Sequence, residues 1–100
     1  MTNGEVWEIT LQDRKTKTEE IQKEQDGLAR KLSIAWFEED MYARLVERRP
    51  KYKEVFEQKR IASEELYNQL KEKQNALAEE IKLINMEIEY IEEKIRLGTR

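Results

Sequence analysis

The sequence contains no cysteine and no histidine, and only one proline and three glycines in 100 residues. Without cysteine there can be no disulfides, thiolate metal sites or thiol nucleophile. Without histidine, the usual acid–base group at neutral pH and the commonest metal ligand are both missing. A β-sheet domain needs turn residues at short intervals, and they are too sparse here. No apolar run approaches the roughly 20 residues that span a bilayer. The N-terminal Met1-Thr2-Asn3-Gly4-Glu5 lacks the charged-then-apolar pattern of a cleaved signal peptide. A cytoplasmic chain with no membrane span is expected, with export by a route that needs no cleaved signal left open.

What remains is charge and a modest set of apolar residues. Nineteen basic and 22 acidic side chains give a formal charge of −3, and charged residues make up 41% of the chain. Leu, Ile, Val and Phe together number 23, just above the level at which disorder becomes the default. This composition fits long helices in a single all-α domain spanning 1–100.

Pro50, the only proline, stands at the midpoint. A proline inside a helix removes a hydrogen bond and clashes with the preceding turn, and it pushes the residue before it out of helical geometry. The expected layout is therefore a helix over about 5–48, a turn at about 49–50 and a helix over about 51–97, folded as an antiparallel, coiled-coil-like two-helix hairpin. Thr2 and Glu5 have capping-box spacing. Gly98, following Leu97 with Lys94 and Arg96 in the last turn, suits a helix end. Asp26-Gly27 is the point where the first helix would kink or break, a break giving three helices instead of two.

Hydrophobic spacing defines the seam. Leu77, Ile81, Ile84, Ile88, Ile91 and Ile95 advance in alternating steps of four and three, the mark of a coiled coil. Tyr52, Val55, Phe56, Leu66 and Leu70 are expected to continue that face toward the turn. On the first helix the matching stripe is Trp7, Ile21, Leu28, Leu32, Ala35, Trp36, Tyr42 and Val46. The stretch from Gln12 to Glu20 has no large apolar residue and is expected to fray or to lean on its partner helix.

A hairpin needs one apolar stripe on each helix, and this chain has more. At about 100° per residue, Ile34, Phe37, Met41 and Leu45 fall on a second face of the first helix. Leu83, Met86, Tyr90 and Leu97 do the same on the second. Exposed faces of this kind ask for further helices, either from another protein or from a second copy in a four-helix bundle. The adjacent Trp36 and Phe37 point to different faces, so that one can fill the core while the other meets a partner, or both can be core. The expected partner interface is Ile34, Trp36, Phe37, Met41, Leu45, Leu83, Met86, Tyr90 and Leu97.

Three charged clusters invite functional readings, but each is better explained as a solvated helix face. Arg44, Arg48, Arg49, Lys51 and Lys53 surround the turn, but Glu47 and Glu54 lie among them, the chain is acidic, and no groove-reading motif is present, so nucleic acid is not the expected partner. Glu38-Glu39-Asp40 and Glu92-Glu93 are adjacent residues that diverge by about 100° on a helix and do not converge on a metal or a substrate. Di-iron bundles need Glu-x-x-His motifs, which cannot exist here. No enzymatic activity, metal or cofactor is expected.

In length, helical hairpin layout, lack of cysteine and a central Trp36, the chain resembles the WXG superfamily of small type VII secretion proteins. In its charge-rich heptads it is more similar to the accessory branch encoded beside LXG toxins in Gram-positive bacteria, the LXG-associated α-helical proteins. It departs from the WXG turn, since Trp36-Phe37 is followed by Glu38 where that motif has glycine. The C-terminal aromatic-x-x-x-acid export motif would need an acid four residues after Tyr90, where Lys94 stands. Trp36 and Asp40 have that spacing, but in the wrong half of the chain. The resemblance implies a second subunit that binds the helical N-terminal domain of an LXG toxin and targets it for secretion, without carrying the export signal. The alternatives are a self-assembling homodimeric four-helix bundle and a coiled-coil regulator acting through the basic turn.

Overall fold

The protein, described over residues 1–98 by a computed structural model, is all-α, with no strand among these residues. Helix α1 spans Asn3–Arg48 and helix α2 spans Lys53–Arg96, joined by a single 3-10 turn at Pro50–Tyr52. Arg49 leaves helical geometry at φ −129° and ψ 72°, as the residue before a proline must. Pro50, whose missing N–H costs nothing at the first position of a helical turn, opens the 3-10 segment. Tyr52 N–H donates to the Arg49 carbonyl at 2.9 Å and Lys53 N–H to that of Pro50, so α2 begins at Lys53, two residues later than the proline alone suggests.

The outer ends are capped as their residues dictate. Glu5 N–H donates to Thr2 Oγ1 at 3.1 Å and Val6 N–H to the Thr2 carbonyl at 3.1 Å. Thr2 is thus the cap itself, and α1 starts directly after it rather than at Glu5. Gly98 adopts φ 75° and its N–H donates to the Ile95 carbonyl at 3.1 Å, a left-handed closure that ends α2 one residue before Leu97. At Gly27 α1 continues without a break, so the three-helix alternative does not hold.

The chain divides into two compact units. One comprises Met1–Gln25 with the residues from Ala76 onward, the other Asp26–Asn75. In the first, Trp7 meets Tyr90, Arg14 meets Glu87 and Lys17 meets Glu80, so rising numbers on α1 match falling numbers on α2. In the second, Glu39 meets Arg60 and Tyr42 stacks on Phe56, again antiparallel. Each unit is therefore a pair of antiparallel helices, and the fold is a two-helix hairpin.

Burial reveals the seam. On α2 the covered or half-covered residues form an unbroken four-three ladder: Phe56, Arg60, Ser63, Tyr67, Leu70, Gln74, Leu77, Ile81, Ile84, Ile88, Ile91 and Ile95. On α1 the ladder runs Trp7, Leu11, Arg14, Thr18, Ile21, Gln25, Leu28, Leu32, Ala35, Glu39, Tyr42 and Val46. Leu77, Ile84 and Ile91 are buried at seven-residue intervals, and so are Ile21, Leu28 and Ala35. Ile81, Ile88, Ile95 and Leu70 are half-buried. Tyr52, Val55 and Leu66, expected on this face, are exposed instead. The ladder passes them by because it continues through polar residues.

The polar stretch of α1 takes the second of its two expected courses and leans on its partner helix. Residues 12–20 remain helical, with Arg14 Nε donating to Glu87 Oε2 at 2.6 Å and Lys17 Nζ 3.9 Å from Glu80 Oε1. Hydrogen bonding to Glu87, supported by its charge, raises the Arg14 pKa above the ordinary guanidinium value. Here α1 leans on α2 through charge rather than through apolar contact.

Candidate interaction surfaces

The expected second faces exist. Within the unit that holds the turn, Ile34, Phe37 and Met41 lie exposed on α1. At about 100° per residue their face points away from the Leu28, Leu32 and Ala35 seam. Leu45, predicted with them, is half-buried. Within the other unit, Leu83, Met86, Tyr90 and Leu97 are exposed on and just beyond α2. Tyr90 makes an edge-type contact with Trp7, with ring centroids 6.1 Å apart, and carries Lys94 Nζ 5.4 Å over its ring.

Trp36 and Phe37 do not divide their roles between core and surface. Both are exposed, at 54% and 64%, and they contact each other edge-to-face with centroids 5.2 Å apart. Trp36 therefore leaves the hairpin seam, which Ala35 occupies in its place. With Leu32, Ser33 and Tyr67 the two rings line a shallow groove. Exposed tryptophan beside an apolar groove is the usual form of an interface anchor.

The charged groups behave as solvated faces and pair partners. Asp40 Oδ2 accepts from Arg44 Nε at 2.9 Å. Arg60 is a hub: its guanidinium donates to Glu57 Oε1 at 2.7 Å and to Glu64 Oε2 at 3.1 Å, and stands 3.6 Å from Glu39 Oε1. These bonds, first that to Glu57, raise the Arg60 pKa, and the same bond lowers that of Glu57. Among the described residues no three metal-ligating side chains converge, and no helix is long and apolar enough to cross a membrane.

Sequence reasoning missed Ser63, the one buried polar residue among those described, and the seam positions Arg60, Tyr67 and Gln74. The signal was available, since Ser63 lies seven residues before Leu70. It also missed Val6, Ile9 and Ile61, further exposed apolar side chains. No family model, curated protein or solved structure matches the chain.

Proposed function

We propose that this protein is a non-enzymatic helix-binding partner, whose exposed apolar stripes on α1 and α2 receive helices from another protein. The observation that carries this reading is the exposure of Ile34, Phe37 and Met41 on a face that the hairpin does not use. Large side chains repeating at helical spacing and left in water are a docking face for an amphipathic helix. Its resemblance to LXG-associated proteins names the occupant: the helical N-terminal domain of a secreted LXG toxin, which this chain would chaperone and target to a type VII secretion machine. It would meet the toxin in the cytoplasm, alone or with a second small helical subunit.

The test is co-purification with the N-terminal helical domain of a toxin encoded beside it. Phe37→Glu with Met41→Glu places two charges in the α1 stripe without touching the seam. Capture of the toxin domain is expected to be lost while the circular dichroism of the hairpin stays helical. Capture at the wild-type level by this variant would refute the docking face. A basic-turn regulator finds less support, because Arg44 is already held by Asp40 and the remaining cations are interleaved with Glu47 and Glu54.

A further inference from the structure

The two exposed stripes share one spacing and carry opposite charges at their ends. Ile34, Phe37 and Met41 on α1 have the same spacing as Leu83, Met86 and Tyr90 on α2, displaced by 49 residues. The same displacement carries Arg30 onto Glu79, Lys31 onto Glu80 and Arg44 onto Glu93. Arg30 and Arg44 thus bracket the α1 stripe one turn beyond its ends, and Glu79 and Glu93 bracket the α2 stripe in the same way. Among the described residues Arg30, Lys31, Glu79 and Glu93 make no ion pair within the chain, whereas Arg44 is held by exposed Asp40 on its own helix and Glu80 by Lys17 across the hairpin.

We infer that the α1 stripe of one molecule docks on the α2 stripe of a second copy, so that in the absence of another partner the protein covers its own docking faces. Charge complementarity selects this occupant. Whichever way the two helices run, an arginine at each end of one stripe meets a glutamate at an end of the other. Like-charged pairing of two α1 stripes or of two α2 stripes is disfavoured by the same rims. The inference rests on the docking reading of these stripes and adds their resting occupant, which a toxin helix would have to displace.

A charge exchange tests it with the full chain. One variant carries Arg30→Glu and Arg44→Glu, making both of its stripes acid-rimmed. The other carries Glu79→Arg and Glu93→Arg, making both basic-rimmed. Light scattering over a dilution series is expected to show wild-type self-association that either variant alone weakens at least about tenfold. An equimolar mixture of the two is expected to restore it, which a folding defect cannot imitate. A wild type that stays monomeric at its highest soluble concentration would overturn the inference. So would variants that self-associate like wild type, or a mixture that does not associate. If the wild type is monomeric yet captures the toxin domain, only the self-docking fails. If the charge rule holds but no toxin is captured, only the proposed function fails.

Discussion

Arg60 Nη1 stands 3.6 Å from Glu39 Oε1, and both residues occupy ladder positions that a coiled coil ordinarily gives to apolar side chains. Their side chains are 26% and 30% exposed, so the pair is partly screened and neither charge is fully desolvated. A contact of this kind adds little stability, but it fixes which residues face each other, because any other partner would leave a charge against an apolar neighbour.

Replacing Arg60 separates these roles. Arg60→Leu fills the seam with apolar surface and is expected to keep or raise the Tm. Arg60→Ala removes the side chain and its three carboxylate contacts and is expected to lower it. Thermal unfolding followed by circular dichroism gives the order, and a leucine variant less stable than the alanine variant would contradict it.

The same hub sets a pH dependence. The hydrogen bond from Arg60 lowers the folded pKa of Glu57 below its unfolded value. Its contribution is therefore present above the ordinary carboxylate range and lost as pH falls through the folded value. Stability is expected to be level from neutral pH to about pH 5 and to decline below about pH 4. In Arg60→Leu that decline should be shallower. Equal acid slopes in the two proteins would remove Glu57 from the account.

Gly27 offers a simple gain. It lies within α1, is exposed, and a Cβ added there meets nothing within 4 Å. Gly27→Ala is expected to stabilise the protein by up to about 1 kcal/mol, because alanine has less chain entropy to lose in a helix. Urea denaturation would show it as a higher midpoint with an unchanged slope.

The seam itself can be mapped by truncation. Ile84→Ala removes a buried side chain and is expected to cost about 2–4 kcal/mol. Leu66→Ala, at an exposed site, is expected to cost under about 1 kcal/mol. Equal losses at the two positions would place Leu66 on the ladder after all.

The hairpin was legible in the sequence where the ladder is apolar. From Leu77 to Ile95 every step is Leu or Ile, and burial follows the spacing without exception. Nearer the turn the same geometry runs through Gln74, Ser63 and Arg60, which carry no hydrophobic signal, while Leu66 offers a false one. Hydrophobicity marks a face only where the sequence spends apolar residues on it. The polar half of α1 hid its seam in the same way, since Arg14 and Thr18 hold positions that apolar residues mark elsewhere. The exposed stripes were legible because Phe37 and Met86 cannot share a face with the seam. The pairing of Trp36 with Phe37 was not, because adjacent positions diverge on a helix and only long side chains bring their rings back together.

The link between the helices has a consequence for how the chain can change in length. Only Arg49 and the single 3-10 turn separate α1 from α2, leaving no slack to absorb a shift. One residue gained or lost within either helix rotates everything beyond it by about 100° and turns its share of the ladder toward water. Seven residues added to both helices at matching levels would leave every facing pair as it is. Viable relatives of this protein should therefore differ in size by whole heptads taken in pairs, one from each arm.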